Sequence, residues 1–461
     1  LLDIENLLNQ GEVVCMFPEG AISRSGQLGE FYRGFERAAA NTQAHIVPFY
    51  LQGLWGSRFS RSSDKFKLQS ASGIKRDLIV SFGPALATHT SAEVLKQKVF
   101  ELSIQSWEEY SRTMEPLPYS WINSVKRAPS ELSLADSGGA SLSNQQALLH
   151  AAVLKKALSK VLTKSLTTAM AKSSVRKGRS QPGTDSSQNV GILLPTSSAA
   201  AIANMAVMMA GHATVNINYN APAARQNAAI QQAELDVIIS SRAFIADVVQ
   251  QGDGVDVELS GCQIVYIDDV LKTIPKLQRI VLSLAIRLLP TFLLKPLLCR
   301  SQSIEDRAAV VFTSGSEGEP KAVCHSHRNL MVNLTQVANV LNTEENDVLM
   351  AILPTYHSFG LTATTLMPMI EGIPVVCHPD PQDALGVAKA IAKYGASVFC
   401  ATPSLLQRFC DEEAIHPLML ESLRVTVAGA EKLPHEVAES FKERFHKELI
   451  EGYGATETAP V

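Results

Sequence analysis

A chain of 461 residues, 46% hydrophobic and 19% charged, is long enough for two or more globular domains with ample cores. Its formal net charge of −4, from 41 basic and 45 acidic residues, gives no reason to expect nucleic-acid binding. Its seven cysteines are scattered and lack C-x-x-C spacing, so reduced thiols in a cytosolic setting fit best. The chain starts without methionine or a signal peptide, and we expect both ends to be cut from a longer protein.

The first part of the chain has the pattern of an α/β layer. Residues 13–17 predict a buried strand followed by a glycine turn, and residues 46–50 and 78–82 predict two more strands. Arg24 and Arg33 stand near this turn and could clamp a phosphate, because guanidinium groups pair with phosphate in a bidentate manner. The alternative is that these arginines are solvated surface charges.

Residues 17–24, with the sequence FPEGAISR, resemble the F-P-E-G-x-x-S-R block of the glycerolipid acyltransferases. Residues 47–48 resemble the later V-P block of that family, and the resemblance extends over residues 1–114. It implies that the glycerol-phosphate part of an acyl acceptor is bound by Glu19, Gly20, Ser23 and Arg24. The catalytic H-x-x-x-x-D motif of the family would lie upstream, because neither His45 nor His89 is followed by aspartate at that spacing.

The middle of the chain contains a linker and several helical patterns. Residues 116–120 predict a linker, because paired prolines resist both helix and sheet. Residues 144–169 predict a helix, and residues 199–210 predict a buried helix that is too short to span a bilayer. Residues 172–188 predict an exposed loop. Residues 280–299, which basic residues and prolines interrupt, predict either a two-part interfacial segment or a helix packed on its own domain.

The second half of the chain alternates apolar strands with helices. The predicted strands are residues 190–194, 213–217, 237–239, 264–267, 308–312, 348–353, 374–377, 398–401 and 423–428. Residues 387–394 and 434–445 have helical patterns. Nearly continuous apolar strands between helices imply mostly parallel sheets that are covered on both faces, so the predicted fold class is α/β.

One of these strands runs into a loop of small residues, TSGSEGEPK at residues 313–321. Glycines allow the backbone to approach a ligand closely, and successive loop amides can form a nest for an anion. Lys321 adds a positive charge for phosphate. The loop is not a Walker A motif, because Pro320 stands where that motif needs its second glycine. The alternative is an ordinary polar surface turn.

The loop resembles the T-S-G-[ST]-T-G-x-P-K-G signature of the adenylate-forming enzymes, with Glu317 and Ala322 as departures from it. Further segments resemble blocks of that family and follow in the same order: residues 353–360, 401–404, 428–432 and 451–457. The resemblance implies that residues 121–461 form the large N-terminal domain of such an enzyme, without its small C-terminal domain. It also implies ATP and Mg²⁺ as cofactors.

The same resemblance implies roles for individual residues. Lys321, His357 and Glu457 would be catalytic, and Glu457 would also hold Mg²⁺, for which carboxylate oxygen is suited. Tyr453 would stack on adenine, and Thr456 would contact the α-phosphate region. The implied nucleotide-binding set is Thr313, Ser314, Gly315, Ser316, Gly318, Lys321, Gly429, Ala430, Glu431, Gly452, Tyr453, Gly454 and Thr456.

An acyltransferase domain (residues 1–115) followed by an adenylating domain (residues 121–461) resembles bacterial bifunctional enzymes that join an acyl-[acyl-carrier-protein] synthetase to a 2-acylglycerophosphoethanolamine acyltransferase. That resemblance implies ATP-dependent activation of a fatty acid, transfer to acyl carrier protein, and acylation of a lysophospholipid. It places the protein at the cytoplasmic face of the bacterial inner membrane, attached at the membrane surface or through segments outside this sequence. We expect the chain as cut to complete neither reaction efficiently.

Two alternatives remain open at this point. The first is a long-chain acyl-CoA synthetase with a fused acyltransferase-like domain. The second is a protein that only binds nucleotide or lipid.

Overall fold

The structure is a computed structural model, and it describes residues 2–71, 77–172, 188–250, 261–273, 275–313 and 320–460. The chain divides into two compact units. The first unit comprises Leu1–Met114 and Thr335–Glu345, and the second comprises Glu115–Leu334 and Asn346–Val461.

The first unit has helices and one antiparallel pair of strands. Its elements before Met114 are α1 (Leu2–Asn9), α2 (Gly34–Ala39), β1 (Phe49–Gln52), α3 (Asp64–Ala71), β2 (Ile79–Phe82) and α4 (Ala92–Ser111). The side chain of Ser91 accepts a hydrogen bond from the N–H of Val94 and so caps the start of α4. A buried cluster that includes Phe35, Leu95 and Val99 packs α4 against α2.

Residues 13–17, predicted as a buried strand, are irregular in the structure, and that prediction is wrong. Val13 is 97% exposed, and the ring of Phe17 contacts the ring of Phe49 edge-on at 5.7 Å between centroids. No strand in the described part of the unit pairs with this segment. A strand without a partner leaves its backbone N–H and C=O groups unpaired, so apolar content alone does not stabilise one. The other two predicted strands overlap β1 and β2.

The second unit alternates helices and strands along most of its length. Its first elements are α5 (Leu117–Arg127), β3 (Leu132–Asp136), β4 (Ser141–Ser143), α6 (Asn144–Lys172), β5 (Asn189–Leu193), α7 (Ser198–Met209), β6 (Ala213–Asn216), α8 (Ala223–Gln232), β7 (Val237–Ser240), α9 (Arg242–Gln250), β8 (Gln263–Tyr266), α10 (Ile267–Thr273), α11 (Lys276–Leu288) and α12 (Thr291–Leu298). The later elements are β9 (Arg307–Phe312), β10 (Ala322–Ser326), α13 (His327–Leu341), β11 (Leu349–Ala351), α14 (Ser358–Leu361), α15 (Met367–Glu371), β12 (Val375–Cys377), α16 (Ala384–Tyr394), β13 (Val398–Ala401), α17 (Pro403–Asp411), β14 (Val425–Ala428), α18 (His435–Phe445) and β15 (Leu449–Glu451). The end of α13 belongs to the first unit.

Two sheets form the framework of the second unit. As described, one has six strands in the order β10-β9-β6-β5-β7-β8, and the other has seven in the order β15-β14-β13-β11-β12-β3-β4. All neighbouring strands are parallel except β9–β10 and β3–β4, which are antiparallel. The predicted α/β fold with mostly parallel sheets is therefore confirmed. The strands that the sequence did not predict are β3, β4, β10 and β15, and each of them ends a sheet or lies next to its end.

The buried helix predicted at residues 199–210 is confirmed as α7, in which nearly every side chain is buried. Two amides tie α7 to β6. The Nδ2 of Asn204 donates to the Oδ1 of Asn216 at 3.1 Å, and the Nδ2 of Asn216 donates to the Oδ1 of Asn204 at 2.9 Å. Both side chains are buried, so each amide satisfies the hydrogen-bonding needs of the other inside the core.

Helix α5 begins at Leu117, inside residues 116–120, where the sequence predicts a linker. Pro118 lies in the first turn of the helix, where a backbone N–H has no helical partner in any case, so the proline does not prevent the helix. The carboxylate of Glu115 accepts hydrogen bonds from the Nζ of Lys295 at 2.6 and 2.7 Å, which joins the start of the second unit to α12.

Residues 280–299 lie mainly in α11 and α12, which are separated at Leu289 and Pro290. None of the helices in the described part of the chain combines the length and apolar content needed to cross a bilayer.

Candidate active site

Four of the predicted site segments follow four strands that lie side by side. Strands β11, β13, β14 and β15 are consecutive and parallel in the seven-stranded sheet. Parallel neighbours end at the same edge of a sheet, and ligands of open α/β sheets bind at that edge. The segments that begin there are residues 353–360, 401–404, 428–432 and 451–457.

Two glycines bring all four of these segments together. The N–H of Gly429 donates to the carbonyl of Ala401 at 3.0 Å, and the N–H of Gly452 donates to the carbonyl of Ala428 at 2.8 Å. A Cβ atom at Gly429 would lie 2.8 Å from the Cε1 of Phe359 and 3.5 Å from the carbonyl oxygen of Gly452. Only glycine therefore lets the Phe359 ring pack on this turn without a shift.

The turn after β14 continues through Ala430, whose φ of 69° lies in the left-handed region that non-glycine residues seldom adopt. Ala430 and Glu431 are exposed at this edge of the sheet. The Oγ of Ser404 donates to the Oε1 of Glu431 at 3.4 Å, and the Oγ1 of Thr402 accepts from the N–H of Leu405 and caps α17. The predicted residues Gly429, Ala430 and Glu431 thus form one turn beside the segment after β13, with Gly429 buried and the other two exposed.

The segment after β15 presents the predicted adenine and metal ligands to solvent. The Tyr453 side chain is 89% exposed, and Gly454 and Glu457 are exposed as well. Thr456 and Glu457 belong to a short 3-10 turn, which the N–H of Ala455 stabilises by donating to the Oγ1 of Thr458 at 3.2 Å. An exposed ring has a face available for stacking on a base, and an exposed carboxylate has free oxygen ligands.

These donors fit the cofactors that the sequence implies. Among the described residues there is no group of three or more His, Cys, Asp or Glu side chains that could hold a metal ion by itself. Mg²⁺ in nucleotide sites is typically held by one or two carboxylates together with the substrate phosphates. A single exposed carboxylate such as Glu457 fits that kind of site.

His325 is a neighbour of this site that the sequence analysis did not single out. It is buried in β10, and its Nε2 has no hydrogen-bond partner among the residues that the structure describes. Burial lowers the pKa of His325, while the backbone of Thr456 and the charge of Glu457 oppose that shift. Strand β10 begins directly after Lys321, at the end of the phosphate loop. His325 therefore lies on the strand that follows this loop, and the charge of Glu457, the predicted metal ligand, influences it. No local pattern marks such a residue, because Thr456 and Glu457 are far from it in the sequence.

The phosphate loop itself lies largely outside the described residues. The predicted residues Ser314, Gly315, Ser316 and Gly318 belong to that part. The N–H of Thr313, just after β9, donates to the carbonyl of Lys321, just before β10, at 3.0 Å. This bond holds the two ends of the loop together. Lys321 is exposed, so its ammonium group is accessible to a ligand.

His357 lies in a group of rings after β11. Its ring centroid is 4.7 Å from that of Tyr356, and the Tyr356 ring is 5.1 Å from that of Tyr219. The hydroxyl of Tyr356 accepts a hydrogen bond from the Nδ2 of Asn220 at 2.9 Å. His357 reaches solvent, yet the protein atoms crowded around it lower the pKa of its imidazole, which favours the neutral form near pH 7.

Gly360 fixes the backbone just beyond His357. A Cβ atom there would lie 2.1 Å from the carbonyl oxygen of Pro354, so the two backbone segments are in contact with no room for a side chain. The carbonyl of Gly360 accepts from the Oγ1 atoms of Thr364 and Thr365, both at 2.9 Å, at the start of a π-helical turn. π-Helical turns are frequent at functional sites.

In the first unit, the predicted acceptor-binding residues lie on one turn held by its own hydrogen bonds. Gly20 has a φ of 67°, which glycine adopts without strain. The Oε2 of Glu19 accepts from the N–H of Gly29 at 2.8 Å, and the Oγ of Ser23 donates to the carbonyl of Gln27 at 2.9 Å. Glu19 and Ser23 therefore shape the loop in addition to any contact with a ligand.

The two arginines near this turn differ in their surroundings. Arg24 is exposed. Arg33, which the sequence analysis paired with it as a possible phosphate clamp, forms an ion pair with Glu93 at 3.1 Å. Both partners of that pair are mostly exposed, so the pair is weak and an anionic ligand could compete for the guanidinium.

Comparison with known proteins relates both parts of the chain to families. The model of the AMP-binding enzyme family matches residues 179–461, and the model of the acyltransferase family matches residues 1–52. A probable 4-coumarate–CoA ligase 2 of Dictyostelium discoideum is 35% identical over 160 residues, and a long-chain-fatty-acid–CoA ligase of Salmonella typhimurium is 30% identical over 160 residues. Each match covers 34% of this chain, and the chain spans 29% and 28% of the lengths of these two relatives.

Solved structures resemble the second unit in fold. The anthranilate CoA ligase AuaEII in complex with anthranoyl-AMP has a TM-score of 0.59 at 20% identity, over 75% of this chain and 60% of that one. A benzoate CoA ligase from Burkholderia xenovorans LB400 has a TM-score of 0.59 at 17% identity, over 75% and 62%. At such identities the likeness shows the fold alone. The family match covers more than half of the sequence and includes all the site segments at the edge of the seven-stranded sheet. On that ground, the chain belongs to the AMP-binding enzyme family.

Proposed function

We propose that the second unit activates a fatty acid with ATP, forming an acyl-adenylate and pyrophosphate, and passes the acyl group to the phosphopantetheine thiol of acyl carrier protein. We further propose that the first unit moves the acyl group to a lysophospholipid, 2-acylglycerophosphoethanolamine. The observation that carries this proposal is the meeting of four site segments at one edge of a parallel sheet, in an AMP-binding chain that also matches the acyltransferase family.

In the first step, a carboxylate oxygen of the fatty acid attacks the α-phosphorus of ATP, and the bond from that phosphorus to pyrophosphate breaks. Lys321 and the loop amides would stabilise the negative charge that develops on the phosphates. Mg²⁺, when bound, supplies further charge neutralisation, and Glu457 would hold it. His357, neutral near pH 7, would line the acyl side of the site.

Other residues of the second unit would bind the nucleotide. Tyr453 would stack its exposed ring on adenine, because base–aromatic stacking needs only an accessible face. Gly429–Glu431 would lie under the adenine, and Thr456 would contact the α-phosphate. The remaining binding residues, Thr313, Ser314, Gly315, Ser316, Gly318, Gly452 and Gly454, would supply backbone amides and hydroxyls.

In the second step, the free hydroxyl of the lysophospholipid attacks the acyl thioester, and the carrier thiol leaves. Arg24 would pair with the glycerol phosphate, and Glu19, Gly20 and Ser23 would position the acceptor. The hydroxyl must lose a proton to a general base, a role that the acyltransferase resemblance assigns to the H-x-x-x-x-D motif of that family. Because the acceptor lies in a bilayer, we propose that the protein works at the cytoplasmic face of a bacterial inner membrane.

A second candidate function is long-chain acyl-CoA synthesis, with the acyltransferase-like part serving another purpose. The names of the related proteins favour it, since they are CoA ligases, including a long-chain-fatty-acid–CoA ligase. The two candidates share the adenylation step and differ only in the thiol that accepts the acyl group.

A single set of assays separates these functions. Palmitate-dependent exchange of labelled pyrophosphate into ATP measures adenylation, and mass spectrometry of acyl products with acyl carrier protein or CoA identifies the acceptor. Preference for acyl carrier protein, followed by acylation of lysophosphatidylethanolamine, supports the proposal. Preference for CoA supports the second candidate. Binding of ATP without any exchange would refute both and leave a protein that only binds nucleotide or lipid.

A further inference from the structure

The outer sides of α11 and α12 expose large apolar side chains in a regular arrangement. On α11 these follow one side of the helix: Leu277, Ile280, Val281, Leu284 and Leu288. On α12 they are Phe292, Leu293 and Leu297. Their exposure ranges from 47% for Leu293 to 72% for Leu288. We call these side chains the outer apolar face. Amphipathic helices of a globular domain normally turn such a face inward, so its position here requires an explanation.

The opposite side of α11 is firmly attached to the protein. Ile286 is fully buried. The Nζ of Lys126 on α5 donates to the carbonyls of Ile286 and Arg287, at 3.0 and 2.9 Å, and thereby caps the end of α11. The Nε2 of Gln145 on α6 donates to the carbonyl of Ser283 at 3.0 Å. Rotating the outer apolar face inward would break these contacts, so the face is a stable feature of the surface.

The helices that form and support this face hold charged residues of one sign only. Helices α5, α6, α11 and α12 contain lysine and arginine but no aspartate or glutamate, although the chain as a whole has a net charge of −4. Lys276 and Arg287 are exposed, and at 100° per residue they lie along one side of the outer apolar face. The carboxylate of Glu115, which contacts α12, is already paired with Lys295.

We propose that the outer apolar face of α11 and α12 docks on an anionic phospholipid bilayer. The leucines would enter the boundary between headgroups and acyl chains, while Lys276 and Arg287 would extend to the lipid phosphates. The proposal deepens the membrane location under the proposed function, because it names the surface that makes the contact.

The same charges argue against the other possible occupants. An antiparallel two-fold contact between two copies of this chain would bring Lys276 of one copy close to Arg287 of the other, and such a meeting of like charges is unfavourable. A protein partner would normally meet a mixed polar rim around an apolar centre, whereas this rim is basic. A surface of anionic lipid matches both the apolar and the basic part.

The test measures binding of the purified protein to vesicles without ATP or fatty acid, so its result does not depend on the proposed reaction. Vesicles of phosphatidylcholine, with and without phosphatidylglycerol, are sedimented with wild-type protein and with the double variant Leu284→Glu/Leu288→Glu. Both leucines are exposed, whereas Leu294 in the same segment is buried and its substitution would test folding instead. The matched control is Leu418→Glu, at a leucine that is 66% exposed outside these helices.

We expect the double leucine variant to lower the partition coefficient about a hundredfold, because two leucines no longer leave water and two acidic groups meet anionic lipid. The control should bind as wild type. Lys276→Gln/Arg287→Gln should lower binding about tenfold, only with phosphatidylglycerol present, and the loss should shrink at high salt.

Three results would overturn the proposal. One is that the double leucine variant has a native circular dichroism spectrum and binds vesicles as strongly as the wild-type protein does. Another is a wild-type dimer in solution that the same variant abolishes, because a second copy would then cover the face. The third result applies if the leucine variant does not fold. In that case Lys276→Gln/Arg287→Gln decides, and the proposal is refuted if this variant binds phosphatidylglycerol vesicles as strongly as the wild-type protein does.

Discussion

Replacing Gly360 with alanine should destabilise the second unit. The added Cβ would lie 2.1 Å from the carbonyl oxygen of Pro354 and 2.8 Å from that of Leu353, whereas ordinary contacts of a Cβ are 3.4 Å or longer. Both neighbours are backbone atoms, so no side chain can rotate out of the way and the main chain must move by more than an ångström. Overpacking of a tight interior costs about 1–3 kcal/mol, and we expect the upper end of that range.

The displacement should also reach the candidate active site. The N–H of Leu361 donates to the carbonyl of His357 at 2.9 Å, so a shift of the Gly360 backbone is transmitted to the histidine. A misplacement of about 1 Å in a catalytic arrangement can cost about a hundredfold in rate. We therefore expect a loss of that order in pyrophosphate exchange.

The first assay is urea unfolding followed by the fluorescence of Trp121, which is fully buried in the second unit, in a background with Trp55→Phe and Trp107→Phe. The second is the exchange assay. Gly138→Ala is the matched control, because no atom lies within 4 Å of the Cβ position at that glycine. We expect a lower urea midpoint and slower exchange for Gly360→Ala only. If Gly360→Ala unfolds at the wild-type midpoint and exchanges at the wild-type rate, the close backbone contact described above does not exist.

Four further predictions concern separate parts of the second unit. Lys321→Ala and Glu457→Ala should each slow pyrophosphate exchange about a hundredfold or more, and near wild-type exchange in both would remove them from the site. Tyr453→Ala should raise the KM for ATP about tenfold with little effect on kcat or on the urea midpoint, because its ring is exposed. Asp347→Ala should lower the free energy of unfolding by about 1.5–3 kcal/mol, measured in urea, because this buried carboxylate is paired at 2.6 Å with Arg424, whose guanidinium reaches solvent. Burial lowers the pKa of His327 to about 4 from 6.5, so stability should fall as pH drops from about 6.5 towards 4, and His327→Gln should reduce that loss in urea titrations at both pH values.

The sequence was most informative where strands are central and their residues are apolar without interruption. β5, β7 and β13 are of this kind, because parallel neighbours cover them on both edges and helices cover their faces. Of the four strands at the ends of the two sheets as described, β8 was predicted, whereas β4, β10 and β15 were missed. β4 and β15 are short and partly exposed, so their sequences lack the apolar run that marks a buried strand. Residues 13–17 show the opposite error, an apolar run without a partner strand.

The order of the motifs predicted which segments make up the candidate site, but it contained no information on their packing. The contact of Phe359 with Gly429 joins residues that are far apart in sequence, and so does the contact of His325 with the turn that carries Glu457. Such contacts depend on strand order, which a local pattern does not encode. In the same way, the composition of α11 indicated an amphipathic helix but not that its apolar side faces outward.

The paired amides of Asn204 and Asn216 limit how this chain can change over evolutionary time. Substituting Asn204 alone would take away the partner of the Asn216 amide, and substituting Asn216 alone would leave the Oδ1 of Asn204 without its donor, although the Nδ2 of Asn204 would still donate to the carbonyl of Ala200 at 2.9 Å. A buried polar atom left unsatisfied in this way costs about 1–3 kcal/mol. Replacing both by apolar residues of similar size would leave no unsatisfied group. Among homologues of this chain, the two positions should therefore tend to vary together, as two amides or as two apolar side chains, although they lie on different elements.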